Sequence, residues 1–299
     1  MSNRSGILLP VSALPAKDIG NFGEVALLFL DQCRRAGQSV WQVLPLGPTI
    51  IHDSPFYSPS AFAISPNYID LDDLVSREML IAQEVEEYLQ KFSREDPNRI
   101  AYGKLWDHKL PLLRKAFARF LEQSLLKNEA YFHFVEKYKP WLDNFSNFMG
   151  IKEVHLHRPD RATWMQWDDE FKHKWIFDGK MAEYRRMCDE NKRTSKIGSW
   201  KLPEGWTVEK VSLFNQIEYQ ANFHKFLQWI ALEQWLRLKK AAGEKGMRII
   251  GDCPIYVSPD SADVWANRDV FKLDEQGEQR CFAGRSEEHT SELQSRQVI

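Results

Sequence analysis

Two apolar stretches, SGILLP at residues 5–10 and VWQVLPLGPT at residues 40–49, decide how the fold of this chain is interpreted. Each contains a short, continuous apolar run, which is typical of a strand buried in a parallel sheet. Between them, residues 24–36 place one apolar face on a helix (Val25, Leu28, Phe29, Cys33), and Gly37 follows as its C-terminal stop. Strand, helix and strand in this order predict a βαβ unit whose two strands are parallel.

The same succession returns later in the chain. An amphipathic helical pattern covers residues 213–242, Gly243 and Gly246 end it, and a third apolar run follows at 247–251. The intervening sequence lacks a strand rhythm: residues 80–92 and 105–148 are helix-like, and no strand pattern is found in 151–203. We therefore expect barrel-type strands interrupted by a mainly helical insertion. The expected division is 1–74 (strands one and two), 75–210 (insertion), 211–284 (helix, third strand and following loop) and 285–299 (tail).

Composition excludes several classes of protein. Forty basic residues against 42 acidic ones give a formal charge of −2, so nothing favours a nucleic-acid partner. No apolar run approaches the roughly 18 residues that span a bilayer, and no secretory signal precedes the first strand. We expect a cytoplasmic protein with no membrane partner. The four scattered cysteines and the isolated pair His155 and His157 predict neither a metal site nor disulfides; we expect the histidines at a surface turn and Cys253 in the core.

Candidate ligand-binding residues follow the second strand, because loops at the carboxyl ends of parallel strands collect ligand contacts. Four prolines stiffen residues 45–62, and the segment Asp53-Ser54-Pro55-Phe56-Tyr57 carries polar and aromatic groups that suit a polyhydroxylated ligand. A proline-rich turn with a purely structural role is the alternative that composition leaves open.

Further candidates follow the third strand. Asp252 stands directly at its end, where a carboxylate either accepts hydrogen bonds from a substrate or caps a loop. We expect Asp260 to cap a short helix that begins with Ser261. Trp265 is either a platform on which a sugar ring stacks or a packing residue.

These motifs resemble the amylomaltase, or 4-α-glucanotransferase, family. The similarity rests on SGILLP at 5–10, WQVLPLGPT at 41–49, DSP at 53–55 with SAFA at 60–63, and IGDCPIYV at 250–257 with DSADVW at 260–265. All stand in the family order, and together the similarity extends over about residues 5–284.

The resemblance implies an α/β fold, a (β/α)8 TIM barrel with a helical insertion, here truncated after about three strands. It implies a retaining transfer of α-1,4-glucan segments between maltooligosaccharides, without metal or organic cofactor. The resemblance implies substrate-binding roles for Asp252 and for the position of Phe56 and Tyr57. Ser54 and Trp265, from the segments after the strands, complete the candidate substrate-binding residues. The family has Tyr directly after Ser-Pro; here Phe56 stands there and Tyr57 follows, so either the hydroxyl is lost or Tyr57 supplies it from a shifted backbone.

No catalytic residue is expected within this chain, because the family's nucleophile and acid/base carboxylates belong to later strands. Residues 285–295 instead match the in-frame translation of a common short-read sequencing adapter. We therefore expect an incomplete gene with an artefactual tail, and a fragment that does not turn over. A related barrel α-glucan hydrolase and a non-catalytic glucan-binding protein remain the alternatives.

Overall fold

Three short parallel strands form one sheet in the part of the chain that the structure describes. The computed structural model describes residues 5–49, 54, 57–92, 100, 102–124, 128–155, 160, 162–191, 200, 202–254 and 257–280. The strands are β1 (Gly6–Leu8), β2 (Val40–Gln42) and β3 (Arg248–Ile250), in the spatial order β1-β2-β3. Both pairings are parallel and in register, with Ile7 beside Trp41 and Trp41 beside Ile249. The predicted adjacency and parallel direction of the three strands are confirmed.

Helices dominate the rest of the described chain. They are α1 (Glu24–Arg35), α2 (Leu71–Ser76), α3 (Ala82–Lys91), α4 (Tyr102–Ser124), α5 (Glu129–His155), α6 (Asp169–Lys172), α7 (Lys174–Glu190), α8 (Val208–Glu244) and α9 (Ala262–Ala266). Within these residues, no helix is both long enough and apolar enough to cross a membrane.

The helices that precede β2 and β3 end in the same way. Gly37 and Gly246 have φ angles of 75° and 69°, a left-handed conformation that glycine adopts without strain. At each end, the residue after the glycine donates to a carbonyl of the last helical turn, as Gln38 does to Cys33 at 2.9 Å and Met247 to Ala242 at 2.9 Å. This is a Schellman motif, and it turns the chain directly into the following strand.

The first of two compact units comprises Met1–Lys139 and Phe226–Tyr256. One face of its sheet is covered: Trp41 is fully buried, its ring lies 5.0 Å from Phe29 of α1, and its indole N–H donates to the Leu9 carbonyl at 2.8 Å. Aromatic rings join α4 to the second part of α8, with Phe120 5.1 Å from Phe226 and 5.5 Å from Trp229. The hydrophobic core of this unit therefore has one part between the sheet and α1 and another between α4 and α8.

The second unit comprises Pro140–Lys225 and Val257–Ile299. Its core is a group of buried aromatic side chains from α5, α6, α7, the first part of α8 and α9: Phe145, Phe148, Phe171, Phe177, Phe214 and Trp265. Gly150 of α5 lies so close to α8 that an added Cβ would be 2.7 Å from the Ile217 carbonyl oxygen. A side chain at this position would separate the two helices.

Several expectations were wrong in detail. The strands are less buried than expected: Leu8 and Ile250 are 58% and 48% exposed, and Ile7, aligned with the fully buried Trp41, is 36% exposed. The helical run expected over 105–148 is two helices, α4 and α5, and α5 extends to His155. That histidine is buried, with its ring 5.5 Å from Phe171, and Cys253 is exposed.

The expected domain boundaries at 74, 210 and 284 remain predictions. The tail at 285–299 lies outside the described residues, as does His157.

Candidate functional site

A cavity of about 370 Å³ lies in the first unit at the carboxyl ends of β2 and β3. The segments after both strands line it, with Gly47, Ser58 and Ser60 on one side and Gly251 and Asp252 on another. Trp235 and Lys239 of α8 complete the described wall. Ligand sites of parallel α/β folds are found at this end of the strands.

The loop after β2 folds back on itself. A Cβ on Gly47 would lie 2.7 Å from the Ser58 hydroxyl oxygen, so glycine is required for this approach. The Ser58 hydroxyl donates to the Ser60 carbonyl at 2.9 Å, and the Ser65 amide donates to the Leu46 carbonyl at 2.7 Å. These bonds, together with the prolines, hold two serines at the cavity wall in a fixed backbone conformation.

Two glutamines of α8 fix the next part of the same loop. Gln228 accepts from the Ile64 amide at 2.8 Å and donates to the Ile64 carbonyl at 2.9 Å, which is the pattern of a neighbouring strand. Gln234 does the same for Asp70, at 2.8 and 3.1 Å, and also donates to the Asp73 carboxylate at 2.8 Å. Both amides are about 2% exposed, so they satisfy backbone groups that would otherwise be buried without partners.

The Asp252 side chain has no protein partner among the described residues. It follows β3 after Gly251, is exposed, and makes no hydrogen bond or ion pair with any described residue. The loop-capping alternative therefore gains no support from the described structure. A carboxylate in this situation is available to accept hydrogen bonds from a ligand that enters the cavity.

Two other candidates after β2, Ser54 and Tyr57, are joined by a backbone hydrogen bond. The Tyr57 amide donates to the Ser54 carbonyl at 3.2 Å, and both side chains are half-buried. Tyr57 directly precedes Ser58 of the cavity wall, whereas Phe56 lies outside the described residues. The structure thus brings Asp252 together with the loop that carries Tyr57.

Trp265 lies in the core of the second unit. It is 1% exposed, its indole N–H donates to the Phe171 carbonyl at 2.9 Å, and rings of Phe148 and Phe177 lie 5.9 and 6.0 Å away. Because a sugar needs an open ring face, the structure gives this tryptophan the packing role that the sequence left open.

Asp260 does not cap the short helix, contrary to expectation. Ser261 is the N-cap of α9 and accepts from the Val264 amide at 3.2 Å. Asp260 instead forms an ion pair with Lys152 and accepts from the Trp164 amide at 3.3 Å. It therefore anchors the segment before α9 to α5 within the second unit.

A buried ion cluster fixes the loop after β1. The Lys109 ammonium, 1% exposed, donates to the Asp18 carboxylate at 3.2 Å and to the Asn67 carbonyl at 2.8 Å. The Tyr88 hydroxyl donates to the same carboxylate at 3.0 Å. Burial acts to raise the pKa of Asp18, but the Lys109 charge and these hydrogen bonds hold that pKa below its ordinary value. The carboxylate is therefore charged at neutral pH and ties α3 and α4 to the β1 loop.

A larger cavity, about 1300 Å³, lies beside this cluster and is lined by the β1 loop and by α2, α3 and α4. It receives no residue from the ends of β2 or β3. We place the candidate site in the smaller cavity because two strand ends and an unpaired carboxylate converge there.

Comparison with known proteins shows to which family this chain belongs. The family model described as 4-alpha-glucanotransferase matches residues 9–285, nearly the whole chain. The chain belongs to this family. A 4-alpha-glucanotransferase of Streptococcus pneumoniae is 35% identical over 282 residues, and that of Thermus thermophilus is 35% identical over 297 residues. These matches cover 94% and 97% of this chain but 48% and 50% of the relatives, so the chain spans about half their length.

Solved structures agree with this 4-alpha-glucanotransferase assignment. An amylomaltase from Streptococcus agalactiae, solved in complex with acarbose, superposes with a TM-score of 0.74 at 30% identity, covering 97% of this chain and 51% of that one. The Corynebacterium glutamicum amylomaltase shares the fold, with a TM-score of 0.59 at 17% identity.

The sequence did not point to Gln228, Gln234 and Lys109. In this family member they hold loops in place through hydrogen bonds, and they do not line the candidate cavity. Within a helical sequence pattern, such polar residues are normally assigned to the face exposed to solvent. The available signal was that Gln228 follows Leu227 and precedes Trp229 and Ile230 in a stretch that is apolar around most of the helix. A polar residue in such a stretch needs a buried partner.

Proposed function

We propose that this chain is the first part of the catalytic barrel of a 4-alpha-glucanotransferase, and that its strand-end cavity holds part of an α-1,4-glucan. The proposed architecture is a (β/α)8 barrel whose first three strands are β1, β2 and β3. The helical insertion occupies about residues 75–210. Family membership supports this proposal, and so does the parallel order of the three strands.

The proposed position of the glucan rests on one observation. The unpaired carboxylate of Asp252 and the hydroxyl-bearing loop of Ser58 and Ser60 line the same cavity at the carboxyl ends of two adjacent strands. Sugar hydroxyls both donate and accept, so a carboxylate that accepts, beside serine groups and the Lys239 ammonium, offers complementary partners. In this proposal Asp252 accepts from hydroxyls of the sugar at the cleavage point, and Ser54 and Tyr57 contribute from the loop above.

The proposed reaction is a retaining double displacement. One carboxylate attacks the anomeric carbon, an acid protonates the departing sugar, and the hydroxyl of a second glucan then displaces the enzyme carboxylate. Such chemistry requires two carboxyl groups about 5 Å apart on opposite sides of the scissile bond. We propose that both come from the half of the family fold that this chain does not span, so the chain alone binds glucan without turning it over. No metal or organic cofactor takes part in this scheme.

The test is glucan binding by the chain itself, measured by isothermal titration with maltoheptaose. Replacing Asp252 by Asn keeps the size of the side chain and removes its charge, and we expect the affinity to fall about tenfold, the usual weight of a charged hydrogen bond. Asp269→Asn is the matched control, because Asp269 is exposed in the second unit and does not line the cavity. Equal affinity of Asp252→Asn and the unmodified chain would remove Asp252 from the site.

A further inference from the structure

The side of α8 that lines the candidate cavity carries Leu232, Trp235 and Lys239. Residues three and four positions apart lie on the same side of a helix, so these three form one row along α8. Trp235 stands in the middle of the row and is half-buried. A flat aromatic side chain is therefore part of the wall of the cavity that also receives Asp252 and the serines of the loop after β2.

The packing around Trp235 fixes the position of its ring. The ring centroid lies 5.3 Å from that of Phe22 at an angle of 45°, and Phe22 is itself buried and packs against Tyr68 at 5.5 Å. The preceding residue, Gln234, holds α8 to the backbone of Asp70 through two hydrogen bonds of 2.8 and 3.1 Å. A binding residue on a helix held in this way loses little conformational freedom when a ligand arrives.

The indole N–H of Trp235 differs from those of four buried tryptophans. The N–H groups of Trp41, Trp164, Trp206 and Trp265 donate to protein acceptors at distances between 2.7 and 2.9 Å. Trp235 makes no hydrogen bond with any described residue. A cavity-lining tryptophan with an unused donor combines an apolar surface with one polar contact, which suits a ligand that has C–H faces and a rim of hydroxyl groups.

We propose that a glucose unit of the substrate stacks on Trp235, and that this residue selects glucans by the shape of that unit. The inference rests on the proposed function for the class of ligand. The ring hydroxyl groups of glucose project from the rim of the ring, so its faces carry C–H bonds that pack against an aromatic ring. An axial hydroxyl group, such as the one on carbon 4 of galactose, places a polar group on one face and spoils this fit. The indole N–H donates to a hydroxyl on the rim, while Asp252 accepts from another.

Phe62 is the other aromatic residue among the described residues that line the cavity. Its side chain is 61% exposed and lies on the loop after β2, whereas Trp235 lies on a helix and packs against a buried ring. Phenylalanine has no N–H or O–H group with which to fix the orientation of a sugar. Trp235 offers both the flat surface and the polar contact, and we therefore assign the stacking role to it.

The first test compares the maltoheptaose affinity of variants of this chain by isothermal titration. Trp235→Phe keeps an aromatic ring against Phe22 and removes the N–H, and we expect the affinity to fall about fivefold. Trp235→Leu also removes the aromatic ring, and we expect a loss of about 20-fold. Trp175→Phe is the matched control: Trp175 is 75% exposed in the second unit and does not line the cavity, so its replacement should leave the affinity unchanged.

A spectroscopic test separates contact with the sugar from a purely structural role. The eleven tryptophans can be replaced during expression by 5-fluorotryptophan, and the fluorine NMR resonance that disappears in Trp235→Phe belongs to Trp235. We expect this resonance to shift when maltotriose is added and to stay in place with α-1,4-linked galactotriose at the same concentration. Should Trp235→Leu lose the circular dichroism spectrum of the unmodified chain, the Trp235→Phe affinity and this resonance decide the question.

The outcomes separate this inference from the proposed function. Weaker binding by Asp252→Asn together with unchanged affinity of both Trp235 variants would overturn the inference alone. A loss of affinity in Phe62→Leu without one in Trp235→Leu would do the same, and would give the stacking role to Phe62. A Trp235 resonance that shifts equally with both trisaccharides would overturn the selection by ring shape. If the unmodified chain binds no maltoheptaose, the proposed function fails, and the inference fails with it.

Discussion

The buried ion cluster around Lys109 gives the sharpest stability prediction. Lys109→Met keeps most of the side-chain volume and removes the charge that faces Asp18, which is itself 5% exposed. Tyr88 still donates to the carboxylate, but the Asn67 carbonyl loses its donor. Leaving one partner of a buried ion pair unpaired typically costs about 3–5 kcal/mol, and we expect a loss in unfolding free energy of about that size.

The assay is urea unfolding followed by circular dichroism at low protein concentration. Lys115→Met is the matched control on the same helix: its side chain is 57% exposed and 3.2 Å from Glu84, so we expect a change within about 1 kcal/mol. Asp18→Asn combined with Lys109→Met should recover part of the loss, because the double variant no longer buries a charge without a partner.

The loss of stability caused by Lys109→Met should depend on pH, and the direction of that dependence can be predicted. In the unmodified chain the pKa of Asp18 lies below its ordinary value. The cluster therefore adds to the free energy of unfolding at neutral pH, and this addition is lost as the pH falls through the lowered pKa. In the variant, burial without the Lys109 charge raises the pKa of Asp18, so the carboxylate becomes neutral as the pH falls from 7 towards 4. The difference in unfolding free energy between the variant and the unmodified chain should therefore shrink over this range. A loss no larger than that of Lys115→Met, or a deficit that does not change with pH, would refute the reasoning.

Three further predictions follow from the first unit. The Arg119 guanidinium lowers the pKa of Glu84 to about 2, so Glu84→Gln should cost stability at neutral pH, and the difference from the unmodified chain should disappear as the pH falls from 4.5 to 2 in acid titrations. Gly47→Ala should displace Ser58 and weaken maltoheptaose binding, as titration calorimetry would show; unchanged affinity would mean that the loop tolerates a Cβ. The chain alone should aggregate at concentrations above those of the unfolding measurements, and Leu8→Lys should reduce the light scattering; scattering that does not rise with concentration would contradict this.

Features set by neighbouring residues were predictable from the sequence. The helix α1 and its glycine stop, the parallel pairing of β1 with β2, and the position of Asp252 directly after β3 all follow from short patterns. Periodicity and turn chemistry act over a few residues, and they can therefore be read without knowledge of the rest of the fold.

Features set by distant partners were not predictable. Gln228 meets Ile64 across 164 positions of the chain, and Lys109 meets Asp18 across 91. Nothing near these residues shows whether they face solvent or a buried backbone group. The exposure of Leu8 and Ile250 has the same origin: both lie in runs that indicate burial, and only the assembled sheet shows which side chains are covered.

The central claim is that this chain supplies the glucan-binding end of a transferase and that the rest of the barrel supplies the reacting carboxylates. The most direct measurement fuses residues 1–284 to the segment of the Streptococcus agalactiae amylomaltase that follows its matched half, and incubates the fusion with maltotriose. Chromatography should show glucose together with longer maltooligosaccharides, no such products from this chain alone, and a large loss of rate on Asp252→Asn in the fusion. Hydrolysis without longer products would favour a glucan hydrolase. Transfer products from the unfused chain, abolished by Asp252→Asn, would show that the chemistry resides in this chain and would contradict the account.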